Sequence, residues 1–143
     1  MQYTAVVTKE RKQTLAKFPQ CPGCQTFADP GEDIAARAQE ALAGWLEAHL
    51  ALGQAPPEPK KVRAKGRGRL LEVPVPAKLA VKLALRWARK RAGLTQSELA
   101  RRAGLSQPAV ARLEDPDYNP TLDMLERVAA ALGTRLEVDL KAA

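Results

Sequence analysis

The side chains best suited to chemistry in this sequence are glutamines and arginines within the stretch from Thr95 to Glu114. A glutamine amide can pair with the edge of adenine, and an arginine guanidinium with that of guanine, each through two hydrogen bonds. Gln107 and Arg112 fall on the polar side of a short predicted helix, together with Pro108. Side chains of these types can recognise DNA if the elements that carry them form a DNA-binding motif.

Two short helices joined by a tight turn must position those side chains. Thr95 can cap the first helix, and Glu98 three residues later completes a capping box. Gly104 stands where a left-handed residue ends that helix, and Ser106 can cap the second. Inward faces are predicted for Leu99, Ala100, Ala103, Val110 and Leu113. An ordinary helical hairpin has the same outline, but the full set favours a DNA-binding helix-turn-helix.

Other chemistries find little support in the sequence. Cys21 and Cys24 form a C-x-x-C pair, but a zinc site needs four ligands, and the one histidine, His49, lies far along a helix. A redox pair would be expected at a helix N-terminus, whereas this pair falls in a turn between predicted strands. We therefore expect small buried thiols, no metal and no cofactor.

A metal-dependent nuclease would need several carboxylates clustered around two metal ions. The first two predicted strands carry none, and the acids of the first helix lie at its start or outer face. We therefore predict no catalytic residue and no enzyme activity. A nuclease using Asp33 or Glu40 is kept as an alternative, to be tested by cleavage assays with magnesium or manganese.

Charge divides the 143 residues unevenly. Residues 1–55 hold five basic and six acidic side chains, net −1, whereas residues 56–143 hold eighteen basic and ten acidic ones, net +8. A basic half suits nucleic acid and a near-neutral half suits another partner. No signal segment or membrane span is predicted, since Lys82 interrupts the most apolar run, so we expect a cytoplasmic protein.

The N-terminal part, residues 1–75, is predicted to be a small α+β layer of three or four strands and one helix. The predicted strands are Gln2–Thr8, Thr14–Phe18, Cys24–Ala28 and Leu70–Val75. The helix is predicted over Glu32–Leu52, with Ile34, Ala38, Leu42, Trp45 and Leu46 inward. Residues 53–69 read as a proline-rich, basic connection with cations at Lys60, Lys61, Arg63, Lys65 and Arg67, either a solvated tether or an arm on the DNA backbone.

Residues 76–143 are predicted to be helical with a short strand at the end. The first helix is predicted over Lys78–Ala92, with Leu79, Leu83 and Trp87 in its core face. Thr121 can cap a last helix whose inward residues are predicted to be Leu122, Leu125, Val128, Ala129 and Leu132. Arg135–Leu140 alternates as a strand, which would pair with the first sheet or, more readily, with a second copy.

From about Leu79 to Leu140 the sequence resembles the XRE/Cro-type helix-turn-helix family. The resemblance implies that Gln107, Pro108 and Arg112 face base edges and that Gln96 and Ser106 touch phosphates. Arg101 and Arg102 would add charge near the DNA backbone. It also implies a structural ion pair between Arg89 and Glu114, which would fix one helix against another.

The N-terminal part resembles the HicB-type antitoxin domain through Tyr3–Val7, Phe18-Pro19, Pro22-Gly23-Cys24 and Glu40-Ala41-Leu42. The ending RLEDPDYNPTLDMLERVAAALGTRLEVDL resembles the HicB subgroup with a helix-turn-helix. This resemblance implies a truncated ribonuclease-H-like fold that binds a small, basic HicA-type toxin, which cleaves mRNA. It also implies repression at a palindromic operator by a dimer or tetramer. The alternative is a free-standing repressor whose first domain senses a ligand or dimerises.

Overall fold

The computed structural model describes residues 1–64 and 66–143; Lys65, one of the predicted connection cations, lies outside the described residues. The chain forms two compact units, Met1–Val81 and Lys82–Ala143. Its elements in order are β1 (Gln2–Glu10), β2 (Gln13–Lys17), β3 (Gln25–Ala28), α1 (Ile34–Ala51), β4 (Arg69–Pro74), α2 (Ala77–Arg91), α3 (Gln96–Ala103), α4 (Gln107–Leu113) and α5 (Leu122–Ala131). The predicted α+β class is confirmed, with four strands in the sheet.

The sheet of the first unit is antiparallel, with strand order β3-β2-β1-β4. Val7 lies opposite Ala16 on β2 and opposite Arg69 on β4, which sets the register of the three strands. β4 is an edge strand, a position that suits its terminal proline, because proline has no backbone N–H to donate to a neighbouring strand. The likeness of this sheet to a ribonuclease-H-like fold stays a prediction.

One face of the sheet is buried under α1, which begins after Asp33 accepts a hydrogen bond from the Ala35 amide. Alternate residues of β1 point to that face, and their side chains are almost completely buried. The core consists of Tyr3, Ala5, Val7, Ala16, Ala28 and Val73 from the sheet and Ala38, Leu42, Leu46 and Leu50 from α1. The spacing of four residues along α1 makes one continuous apolar stripe.

The second unit buries the inward faces of α3, α4 and α5 in one cluster. Its members are Leu99, Ala100, Ala103, Val110, Leu113 and Val128, with Leu85, Leu105, Tyr118, Met124, Ala131 and Leu132 packed around it. Trp87 is buried, as predicted from its spacing with Leu79 and Leu83. Among the helices described, none combines the length and apolar character that crossing a bilayer requires.

Several details of the predictions differ from the structure. The segment 134–143 pairs with no strand of the sheet, so of the two pairings predicted for Arg135–Leu140 the one within the chain is wrong; Val138 is 72% and Leu140 93% exposed. Leu122 is exposed because it opens α5 directly after the Thr121 cap. Trp45 is half-buried, and its indole donates to the Pro22 carbonyl at 3.2 Å. β3 begins at Gln25, because Cys24 closes the preceding turn instead.

Candidate nucleic-acid interface

The turn between α3 and α4 is held by bonds that specific residue types supply. The Glu98 amide donates to Thr95 Oγ1 and the Thr95 amide donates to Glu98 Oε2, both at 3.1 Å, so the capping box is complete. Gly104 ends α3 with φ 65° and ψ 37°, a left-handed conformation that favours glycine. Arg127 of α5 donates to the Gly104 carbonyl at 3.2 Å. The start of α4 therefore has a defined direction relative to α3.

The helix α4 has an exposed polar face and, opposite it, a buried apolar face. Ser106 Oγ accepts from the Ala109 amide at 3.3 Å, which caps the helix. Val110 and Leu113 are buried, each with 1% exposure. Three residues with predicted contacts to base edges, Gln107, Pro108 and Arg112, are all exposed on this helix. An exposed helix N-terminus with such side chains has the form that enters a major groove.

A chain of amide hydrogen bonds connects the exposed end of α4 to the interior. Gln107 Nε2 donates to Gln96 Oε1 at 2.9 Å, and Gln96 Nε2 donates to Glu114 Oε2 at 3.2 Å. The amide of Gln107 still has its oxygen and its second N–H available. Those two groups are the pair that adenine requires, so Gln96 orients Gln107 without blocking it.

Glu114, the residue at the end of this chain, is buried between two arginines. Arg89 donates from Nε to Glu114 Oε1 at 2.6 Å and from Nη2 to Oε2 at 2.9 Å. Arg86 Nε lies 2.6 Å from the same Oε2, and Arg89 Nη1 donates to the Leu94 carbonyl at 2.9 Å. The side chains of Glu114 and Arg86 are 3% and 5% exposed. The cluster joins α2, the α2–α3 turn and the end of α4.

The cluster also determines the ionisation of Glu114. Burial alone would raise the pKa of this carboxyl group, because a low-dielectric interior disfavours its charged form. The hydrogen bonds from Arg89, the charges of both arginines and the bond from Gln96 outweigh burial, so the pKa is lowered. Glu114 is therefore a carboxylate at neutral pH, and its charge balances one of the two buried guanidinium groups.

The remaining predicted contact residues surround the helix pair. Arg101 and Arg102 lie exposed in the last turn of α3, where cations also interact favourably with the helix dipole. Ser106 is exposed and its hydroxyl is used in the cap, while Gln96 is half-buried. The structure brings Gln96 and Gln107 into contact and places the two arginines on the preceding helix.

Sequence reasoning missed three cations that hold this unit together. Lys82 is completely buried, and its Nζ donates to the carbonyls of Asp115 and Tyr118. Arg86 adds the second guanidinium to Glu114, and Arg127 secures the turn at Gly104. The helical spacing of Leu79, Lys82, Arg86 and Arg89 was the available signal, since residues three to four apart share a face.

The C-x-x-C segment forms a closed turn with buried thiols. The Cys21 amide donates to the Phe18 carbonyl at 3.0 Å, and the Cys24 amide donates to the Cys21 carbonyl at 2.9 Å. Burial raises the pKa of Cys21 to about 12 and that of Cys24 to about 11. Both sulfurs are free thiols, protonated at neutral pH. In the part of the chain that the structure describes, no three His, Cys, Asp or Glu residues are grouped to hold a metal ion.

Comparison with known proteins places these features in context. A helix-turn-helix family model matches residues 85–138. An uncharacterized HTH-type transcriptional regulator of Methanothermobacter thermautotrophicus is 45% identical over 49 residues, which cover 34% of this chain and 71% of the relative. A similar regulator of Archaeoglobus fulgidus is 34% identical over 53 residues, 37% of this chain and 76% of the relative. The protein named Antitoxin HicB 1 of Photorhabdus laumondii is 29% identical over 127 residues, 89% of this chain and 78% of the relative.

Proposed function

The chain belongs to the HTH-type transcriptional regulators, and from that premise we propose that it is an antitoxin that also represses its own operon. In this proposal the first unit binds and neutralises a HicA-type mRNA-cleaving toxin, and the second unit binds operator DNA. The observation that carries the proposal is the similarity to Antitoxin HicB 1, whose 127 aligned residues exceed the length of either unit and so include parts of both. The proposal describes a binding protein and not an enzyme.

For operator binding we propose that α4 enters the major groove with its N-terminus first. Gln107 and Arg112 then read base edges, and Pro108 offers an apolar contact, for example to a thymine methyl group. Gln96 and Ser106 contact phosphates at the helix N-termini, and Arg101 and Arg102 add charge beside the backbone. The assignment is supported by the bond between Gln107 and the half-buried Gln96, and by the exposure of the other residues named, Arg101, Arg102, Ser106, Gln107, Pro108 and Arg112.

Binding to the DNA segment directly upstream of the gene tests the operator role. Arg112→Ala should weaken that binding by about 1–3 kcal/mol, roughly 5- to 150-fold, because a bidentate contact to guanine is lost. Lys90→Ala is the matched control, since Lys90 is an exposed cation at the end of α2. Equal affinity of the Arg112→Ala variant and the wild type at fixed salt would remove Arg112 from the assignment.

For the toxin we propose a small basic protein encoded beside this gene. The near-neutral first part of the chain, net −1 over residues 1–55, and the exposed Glu40 and Glu47 of α1 are compatible with such a partner. Co-expression with the neighbouring reading frame should yield a complex and relieve growth arrest. Binding to upstream DNA without either result would indicate a free-standing repressor instead.

We further propose that residues 135–140 become a strand by pairing with the same segment of a second copy. Leu136, Val138 and Leu140 alternate with charged residues, and the segment has no strand partner within the described chain. The resulting dimer would read two half-sites roughly 34 Å apart, hence a palindromic operator. Val138→Asp should give a monomer by light scattering, whereas Arg135→Gln should not; a dimeric Val138→Asp variant would contradict the model of pairing.

A further inference from the structure

Five exposed cations lie close together in sequence before and at the start of β4. They are Lys60, Lys61, Arg63, Arg67 and Arg69, and together we name them the cationic segment. None of their side chains makes an ion pair with an acid in residues 1–64 or 66–143. A group of cations without interspersed acids creates a positive surface potential that attracts anionic ligands.

Both ends of the cationic segment lie against the rest of the first unit. Tyr3 donates its hydroxyl to the Pro57 carbonyl, just before the segment begins. The side chain of Gln20 bonds the backbone of Lys60 twice, donating to its carbonyl and accepting from its amide at 3.1 Å. Near its other end, a Cβ added to Gly68 would lie 2.6 Å from Val6 Cγ1, so the chain runs directly against β1. These contacts position the backbone at Lys60 and at Gly68, and the five charged side chains are exposed.

Two open grooves beside the sheet have these cations on their walls. The first, about 410 Å³, is lined by Lys60, Lys61 and Arg63, and its acid, Glu72, accepts a hydrogen bond from Thr4 at 2.8 Å. The second groove, about 450 Å³, combines Arg67 and Arg69 with Lys9 of β1.

The acid of the second groove, Glu32, is also already engaged. It forms an ion pair with Arg37 at 2.6 Å and accepts from the Asp29 amide at 2.8 Å. In each groove three cations face a single acid, so both grooves keep a net positive charge that can attract an external anion.

We propose that the cationic segment binds the phosphate backbone of the same duplex DNA that the second unit binds. Two arguments favour DNA as the ligand. The first is the operator binding proposed above, on which this inference rests. The second is the short link in the sequence between the two binding elements, since β4 ends at Pro74 and α2, the helix before the helix-turn-helix, begins at Ala77. A backbone-binding surface joined to a base-reading one raises the local concentration of each on the same duplex. The contact is independent of sequence, since it is made to phosphates and not to bases.

The salt dependence of DNA affinity measures the number of these contacts. We compare wild type, Lys61→Gln/Arg63→Gln and, as control, Arg11→Gln/Lys12→Gln, which removes two exposed cations from the β1–β2 hairpin of the same unit. The probes are the 40-bp duplex upstream of the gene and a 40-bp duplex of unrelated sequence. Each lost phosphate contact lowers the slope of log affinity against log salt by about 0.9, so the first variant should lose about 1.8 on both probes. When the salt concentration is raised from 50 to 200 mM, the factor by which affinity falls should be roughly ten times smaller for this variant than for the wild type.

The outcomes separate this inference from the proposed operator role. An upstream duplex bound no better than the unrelated one would contradict the operator role, while the slope on either probe still tests the segment. An unchanged slope for Lys61→Gln/Arg63→Gln, or equal losses in the control, would overturn the inference, because net charge alone would then explain the data. The inference would also be overturned if Lys61→Gln/Arg63→Gln lost affinity for a single-stranded RNA of 40 nucleotides but bound both duplexes as the wild type does. Matching melting temperatures of the three proteins exclude unfolding as the cause.

Discussion

Glu114→Gln is expected to be one of the most damaging single substitutions in the second unit. It keeps the size of the side chain but removes the negative charge between Arg86 and Arg89, both of which are buried with Glu114. The variant keeps one acceptor oxygen and replaces the other with an NH2 group, a donor that would face a guanidinium N–H, whereas the carboxylate accepts both bonds of the Arg89 guanidinium. Two guanidinium groups would then remain buried without a counter-charge.

The expected cost is about 3–5 kcal/mol, the range found when one partner of a buried ion pair is removed. A small domain has a total stability of about 5–15 kcal/mol, so the loss could be most of what this unit possesses. The same reasoning predicts acid sensitivity in the wild type. Since the pKa of Glu114 is lowered on folding, its stabilisation is present above its ordinary pKa of 4.5 and is lost as pH falls through the lowered value.

Urea denaturation followed by tryptophan fluorescence measures both effects. Each unit has one tryptophan, so a Trp45→Phe background leaves Trp87 as the reporter of the second unit. Glu114→Gln should lower the midpoint strongly at pH 7 and should reduce the decline of stability on acidification. Arg89→Met combined with Glu114→Gln should cost less than the two single changes added together, because they remove the same contact.

Two results would refute this reasoning. A loss of less than about 1 kcal/mol at pH 7 would mean that the arginines find water or other acceptors, as exposed pairs do. Additive costs in the double variant would mean that Arg89 and Glu114 act on stability independently. Glu126→Gln is the matched control, an exposed acid of α5 in the same unit, and should change stability by less than about 0.5 kcal/mol.

Two further predictions concern the turn at Gly104 and the thiols. Gly104→Ala should destabilise the second unit by about 1–2 kcal/mol, since φ is 65° and an added Cβ would lie 3.0 Å from Arg127 Nη2; equal urea midpoints would contradict this. Cys21 and Cys24 should react with iodoacetamide at pH 8 at least about 100-fold more slowly in the native protein than in urea, because burial raises the pKa of both thiols and leaves little thiolate. Rapid native labelling, read by mass spectrometry, would show that the turn is open.

Local patterns in the sequence were sufficient to predict most elements of both units. The Thr95 cap, the left-handed Gly104 and the spacing of Leu79, Leu83 and Trp87 depend on neighbours within one or two turns, so residue type alone predicts them.

Only the tertiary structure decided which charges are buried and which are free. Lys82 and Arg86 resemble surface cations in the sequence, yet they are buried because carbonyls and a carboxylate from distant parts of the chain meet them. In the C-terminal segment, a pattern that is present in the sequence does not produce the predicted element within the chain. Its alternating pattern permits a strand at Arg135–Leu140, but a strand exists only where another backbone pairs with it. Pairing and burial depend on residues far apart in sequence, and the folded chain alone brings them together.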